Sequence, residues 1–122
     1  MAFEIGIDIR NDVLFLTPMG EVSRESILQL GAEIKAQSDE QNLGKVLIDC
    51  DGMTGMFSVL ELYSITPQFM DLVGQSCRIA YVNPPAEWTV EDDKFSRNVA
   101  YNRGGNLEVF ELEADALNWL NS

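Results

Sequence analysis

A short apolar run near the middle of the chain constrains the fold more than any other feature. Val46, Leu47 and Ile48 follow one another without a polar residue between them, so a strand here has no face suited to water. Strands of this kind lie in mainly parallel sheets whose faces are covered by helices. Asp49 and Asp51 come next, and the two-residue period of a strand places both acids on one face. We therefore expect an α/β sheet with two carboxylates at the exit of its central strand.

The segments on either side alternate between strand and helix patterns. We expect strands at 3–9, 13–19, 46–48, 77–82 and 107–112, and helices at 23–37, 58–74, 89–101 and 114–120. Asn11-Asp12 should close an antiparallel hairpin between the first two strands. Thr66-Pro67 should kink or divide the second helix, because proline disfavours helical geometry in the residue before it. This order predicts a mixed, mainly parallel sheet of about five strands with about four helices.

The composition favours one domain and excludes several classes of partner. The chain has 122 residues, 46% of them hydrophobic, which is enough for a single domain over residues 1–122. A net charge of -12 leaves no basic face for nucleic acid and disfavours anionic membrane surfaces. No apolar run approaches the roughly 20 residues of a membrane helix, and the N-terminal segment lacks the features of a signal peptide. We therefore expect a cytoplasmic protein with no membrane span and no nucleic-acid partner.

The two cysteines are consistent with that compartment. Cys50 follows one predicted strand and Cys77 begins the next, so parallel pairing would place the thiols at opposite ends, on the order of 10 Å or more apart. A disulfide needs Cα atoms within about 7 Å of each other. We expect both cysteines to be buried and unpaired.

Few residues in the chain can support catalysis. There is no histidine, no P-loop and no GxGxxG motif, so we expect no cofactor and no metal. Asp49-Cys50-Asp51-Gly52 resembles the aspartate motif of haloacid-dehalogenase-type phosphatases, in which the first acid attacks phosphate and the second handles protons. Met53 stands where that motif has threonine or valine. We expect a protein that is not an enzyme, with a phosphatase using Asp49 and Asp51 as the least favoured alternative.

The loop after the central strand leads to a predicted helix start. Asp49, Asp51, Gly52 and Thr54 form this strand-exit loop. Ser58 and Glu61 then have the spacing of a capping box, in which each side chain satisfies a free amide of the first helical turn. Ser58 is therefore predicted to be a structural cap.

Several cues over nearly the whole chain resemble the SpoIIAA-like family, a branch of the STAS domains (sulfate transporter and anti-sigma factor antagonist) that is also related to the Sec14 lipid-transfer fold. They are the element order, the acid-ended central strand, the Ser58 helix start, RIAYV followed by Trp88, and the closing pattern EVFELEADALNWL. The resemblance implies a sequentially wound sheet, no cofactor, and a regulatory or protein-interaction function. In the antagonist members a partner kinase phosphorylates a serine at the start of the second helix, and Ser58 holds that position, although Phe57 precedes it where the antagonists have aspartate. The implied partner is an anti-sigma factor or a kinase-like protein.

A further group of apolar residues follows the central strand. It is rich in methionine and aromatic side chains, which adapt to varied apolar partners, and comprises Met53, Met56, Phe57, Leu60, Tyr63, Phe69 and Met70. We expect core packing to be the main use of these residues. If part of this surface is exposed, the Sec14 resemblance implies a small apolar or lipid ligand, and a homodimer is the other alternative.

Overall fold

The fold is seen in a computed structural model that describes residues 3–55, 59–73, 77–83, 94, 98 and 106–122. Within these residues the elements are β1 (Glu4–Arg10), β2 (Val13–Glu21), α1 (Arg24–Gln41), β3 (Lys45–Asp49), a 3-10 turn (Cys50–Gly52), β4 (Met53–Thr54), α2 (Val59–Val73), β5 (Arg78–Val82), β6 (Asn106–Phe110) and α3 (Glu113–Leu120). Most of the helix predicted at 89–101 lies outside the described residues, but Lys94 and Asn98 are both helical. Three helices are thus described, against about four predicted.

The sheet confirms the predicted mixed, mainly parallel arrangement. Five strands lie in the order β1-β2-β3-β5-β6, and the two-residue β4 pairs with β2. β1 is antiparallel to β2, whereas the other pairs are parallel. β3 therefore lies inside the sheet, and its residues Val46, Leu47 and Ile48 are completely buried. The apolar run predicted this position correctly.

The first two strands form the predicted hairpin. Arg10 pairs with Val13, which leaves Asn11 and Asp12 as a two-residue loop. Both loop residues have positive φ angles, 51° and 65°, as a type I′ turn requires. Asparagine and aspartate tolerate this conformation better than most residues, so the local sequence explains the turn.

Helices cover both faces of the sheet. The α1–α2 face packs its apolar strand residues against α1 and α2, and this cluster includes Leu14, Leu16, Val46, Ile48, Ile79, Ile34, Phe69 and Met70. The opposite face packs against α3 and includes Val13, Phe15, Leu47, Ala80, Val82, Ala116 and Leu120. The alternation of neighbouring residues between the two clusters is the two-residue period of the strands. Because consecutive helices α1 and α2 share one face, the sheet is sequentially wound, as the family resemblance implied.

α1 begins as predicted but ends later than predicted. The Oγ of Ser23 accepts a hydrogen bond from the amide of Ser26 at 3.0 Å, and the Oγ of Ser26 accepts one from the amide of Ser23 at 2.7 Å, which completes a capping box. The predicted loop at 38–44 is wrong in its first half, because the helix continues to Gln41. It ends at Asn42, whose left-handed backbone, with a φ of 55°, terminates helices. No glycine or proline lies between Ser38 and Asn42 to stop the helix earlier.

α2 passes through Pro67 without division, so that alternative was wrong. Proline removes one backbone donor from a helix interior. The buried side chains Ile65, Phe69, Met70 and Val73 lie on both sides of it, and their packing against the core holds the two halves in one helix.

The end of the last strand also differs from the prediction. β6 stops at Phe110 rather than at residue 112, and Leu112 is 62% exposed at the N-cap position of α3. Glu111 and Leu112 are both exposed and lead into α3, so neither residue joins the sheet.

Both cysteines are buried and neither forms a disulfide, as predicted. β3 and β5 are parallel neighbours, so Cys50 after β3 and Cys77 before β5 lie at opposite ends of the pair. Burial raises the pKa of the Cys77 thiol, with a smaller opposing effect from its contact with Ser38.

Among the described residues, none of the helices combines the length and the apolar character that a membrane span requires.

A glycine allows α1 and α2 to pack closely. A Cβ added at Gly31 would lie 3.1 Å from the Cδ1 of Phe69 and 3.3 Å from the Cδ1 of Leu72. Arg24 at the start of α1 adds polar contacts between the helices, donating to Ser64 at 2.9 Å and to Gln68 at 2.8 Å. The space at Gly31 therefore sets how near the two helices approach.

We predict that Gly31→Leu lowers the free energy of unfolding by about 1–3 kcal/mol through overpacking, although leucine is the better helix former. Ala32→Leu is the matched control, because Ala32 is the next residue of α1 and is exposed. Urea denaturation of both variants measures the difference. Equal stability of the two would contradict the close packing at Gly31.

Candidate functional site

The candidate site is the strand-exit loop at the carboxyl end of β3. The Oδ1 of Asp49 accepts hydrogen bonds from the amide of Asp51 and from the Nδ2 of Asn83, both at 3.1 Å. Asn83 directly follows β5 and has a left-handed backbone, with a φ of 56°. The carboxylate thus ties the exits of two neighbouring parallel strands together.

The two acids of the loop differ in environment. Asp49 is half-buried, whereas Asp51 is exposed and lies in the 3-10 turn that starts at Cys50. The argument that strand periodicity places both acids on one face is wrong for Asp51, because β3 ends at Asp49. The turn instead brings the Asp51 amide back to the Asp49 side chain.

Glycine is required where the turn passes β2. A Cβ at Gly52 would lie 2.7 Å from the Cγ of Met19 and 3.1 Å from the carbonyl oxygen of Pro18. The chain then forms β4, and the amide of Val22 donates to the carbonyl oxygen of Thr54 at 2.8 Å. The exposed Thr54 therefore lies on a loop that is anchored to β2.

The structure describes the chain on both sides of Ser58 but not the serine itself. Met56, Phe57 and Ser58 lie outside the described residues, so the capping box with Glu61 stays a prediction. Val59 is the first described residue of α2, and Glu61 in its first turn is exposed. Leu60 and Tyr63 also belong to α2, but their side chains lie outside the described part of the chain.

Three of the seven residues of the predicted apolar surface belong to the core. Met53, Phe69 and Met70 are 5%, 2% and 1% exposed and pack in the cluster on the α1–α2 face. They offer no surface to a ligand in this structure. For these three, core packing is the use that the structure shows.

The described part of the chain offers no assembled metal site. It contains no group of three or more carboxylate or thiol side chains placed to hold a metal ion. Sequence reasoning missed Asn83, which holds Asp49. The parallel pairing of the two strands could have indicated it, because their carboxyl ends meet at one edge of the sheet.

The opposite edge of the sheet carries an open cleft of about 620 Å³, lined by Asp12, Gln41, Asn42, Leu43, Gly44, Lys45 and Arg78. Its two cations hold the end of α3. The Nζ of Lys45 donates to the Oδ1 of Asn121 at 2.9 Å, and Arg78 donates to the carbonyl oxygens of Trp119 and Ser122, each at 3.0 Å. Cations are favourable beside the carbonyls that end a helix.

We predict that Asp49→Ala lowers the free energy of unfolding by about 1–2 kcal/mol, because the Asp51 amide and the Asn83 side chain both lose their acceptor. Asp49→Asn should retain most of the stability, since its amide oxygen can accept both bonds. Chemical denaturation of the two variants compares them. If Asp49→Ala were as stable as Asp49→Asn, these hydrogen bonds would not hold the loop.

No protein-family model and no curated protein matches the sequence. Solved structures do match the fold. An anti-sigma factor antagonist from Mycobacterium paratuberculosis is 15% identical, with a TM-score of 0.65, and the match covers 99% of this chain and 96% of that one. An uncharacterized protein with a SpoIIAA-like fold from Shewanella loihica is 21% identical, with a TM-score of 0.58 and coverage of 97% and 93%.

A candidate anti-sigma factor antagonist from Thermotoga maritima is 14% identical, with a TM-score of 0.62 and coverage of 97% and 95%. All three matches extend over almost the full length of both chains. The chain therefore has the SpoIIAA-like fold that its sequence resembles.

Proposed function

We propose that this chain is a non-enzymatic regulatory module of the STAS type that acts in the cytoplasm by binding a protein partner. The observation that carries the proposal is the fold match with an anti-sigma factor antagonist, which covers 99% of this chain at a TM-score of 0.65. The partner class is an anti-sigma factor or a kinase-like protein.

The strand-exit loop supports binding more than catalysis. Asp49 accepts two hydrogen bonds that hold the loop, so its carboxylate already has a structural role. Gly52 packs against β2, and β4 fastens the following residues to the same strand. A loop held at several points presents a pre-organised surface, and pre-organisation lowers the entropic cost of binding.

The regulated residue in this proposal is Ser58, which immediately precedes the first described residue of α2. A phosphate at a helix N-terminus can accept hydrogen bonds from free amides and is stabilised by the helix dipole. Glu61 and Asp51 are exposed acids of the same region, so a phosphate would increase an existing negative charge. A partner that docks on this surface would then bind the two phosphorylation states differently.

A second interpretation of Ser58 is that it is only a helix cap. In that case its hydroxyl accepts a hydrogen bond from an amide of the first turn, and the residue has no signalling role. Both interpretations predict that Ser58→Ala lowers the free energy of unfolding by about 1 kcal/mol. They differ for Ser58→Asp, because aspartate is also a good cap but imitates a phosphoserine. Only the regulatory interpretation predicts that this variant loses its partner.

We predict that Ser58→Asp folds with nearly wild-type stability but loses the partner that wild type binds. Thermal denaturation tests the first part, and affinity capture from the native host followed by titration of the purified partner tests the second. Ser64→Asp is the matched control, since Ser64 is exposed on the same helix and faces Arg24. Equal partner binding by wild type and Ser58→Asp would remove the support for regulation through Ser58.

We also predict that the purified chain does not hydrolyse a generic phosphomonoester in the presence of magnesium. Asp49→Asn is the informative variant, because it retains the hydrogen bonds of the loop and removes only the nucleophilic carboxylate. Turnover by wild type that disappears in Asp49→Asn would show that the chain is a phosphatase.

A further inference from the structure

β1 has an outer edge that no strand pairs with in the part of the chain that the structure describes. Ile7 and Ile9 on this strand are 42% and 41% exposed. Edge strands that must stay single usually carry a proline, a bulge or charged side chains, lysine above all. β1 has the sequence EIGIDIR and pairs with β2 in unbroken register, so it lacks a proline, a bulge and a lysine, and its charges are those of Glu4, Asp8 and Arg10.

The hairpin determines which backbone groups face outward. Arg10 and Val13 close a two-residue turn, so this pair exchanges both of its backbone hydrogen bonds. In an antiparallel pair such residues alternate along the strand with residues whose amide and carbonyl point away from the partner. The outward groups of β1 therefore belong to the three residues Ile5, Ile7 and Ile9.

We propose that the occupant of this edge is a second copy of the chain, whose β1 pairs antiparallel with the first around a twofold axis at Ile7. Ile7 then faces Ile7 of the second copy, and Ile5 faces Ile9 of the second copy. All of these residues present outward backbone groups. The outward amides of each copy can therefore donate to the outward carbonyls of the other copy. The sheets of the two copies become continuous.

The charged side chains of β1 favour the register centred on Ile7 over the registers centred on Gly6 and Asp8. With the axis at Ile7, Glu4 lies opposite Arg10 of the second copy, and this opposite-charge pair occurs twice. An axis at Gly6 would place Glu4 opposite Asp8, and an axis at Asp8 would place two aspartates opposite each other. Directly opposed like charges destabilise a strand pair, whereas opposite charges stabilise it.

The side chains are arranged to make these contacts. Glu4, Asp8 and Arg10 alternate with the isoleucines and therefore lie on the α3 side of the sheet. The guanidinium of Arg10 is oriented there by Asp8, at 2.7 Å, and by the ring of Phe15, at 4.2 Å from its centroid. On the other side, isoleucines from both copies would cover one another and remove exposed apolar surface from water.

The size of the contact predicts a reversible dimer. One seven-residue strand from each copy gives an interface at the small end of the range, below about 1,200 Å². We therefore expect the ratio of dimer to monomer to rise with protein concentration.

Sedimentation equilibrium over a concentration series tests the proposal. Glu4→Arg and Arg10→Glu should each weaken dimerisation by about tenfold, because two like-charge pairs replace two opposite-charge pairs. An equimolar mixture of the two variants should recover wild-type association, since each substituted position again faces an opposite charge in the mixed dimer. A mixture that associates no better than the separate variants would overturn the register.

A second comparison tests the edge itself. Ile7→Lys should abolish dimerisation while circular dichroism shows the wild-type fold, because Ile7 is exposed in the monomer. Leu112→Lys, which changes an exposed leucine on the α3 side of the chain, should dimerise like wild type. Wild type that stays monomeric at every concentration, or association that survives Ile7→Lys, would contradict the proposal. If wild type stays monomeric, a peptide of another protein would be the alternative occupant of this edge.

Discussion

Burial of β3 on both faces is the constraint on which the rest of the structure depends. Val46, Leu47 and Ile48 are completely buried, and side chains that alternate across a sheet require a covering layer on each side. α1 and α2 provide one layer and α3 provides the other. The same strand pairs with β2 and β5, both in parallel. Parallel pairing needs crossover connections, which is why helices separate these strands along the chain.

Parallel pairing also determines where the candidate site lies. Neighbouring strands with one direction end at one edge, so Asp49 after β3 and Asn83 after β5 meet through a 3.1 Å hydrogen bond. The chain reaches α2 from this edge through a turn that Gly52 fits against β2. The position of the surface proposed for partner binding is therefore set by the pairing of the central strands. The cations that hold the end of α3 lie at the opposite ends of these strands.

Much of the fold was predictable because its signals are local. Asn11 and Asp12 favour the hairpin turn, and the β3 run predicts an interior strand. The missed features depend on contacts between distant segments. The link between Asn83 and Asp49 exists only once the strands are paired. The extension of α1 to Gln41 was missed because polar residues predict a loop and a helix equally well when no breaker is present.

In the proposed function, this chain is a regulatory module whose partner binding depends on phosphorylation of Ser58. Mapping phosphate by fragmentation of peptides from the protein purified from its native cells, across growth and stress conditions, tests this most directly, with Ser58→Ala as the comparison. We expect phosphate on Ser58 in wild type and none in the corresponding peptide of the variant. Phosphate confined to another residue, or its absence from Ser58 under every condition, would contradict regulation through Ser58.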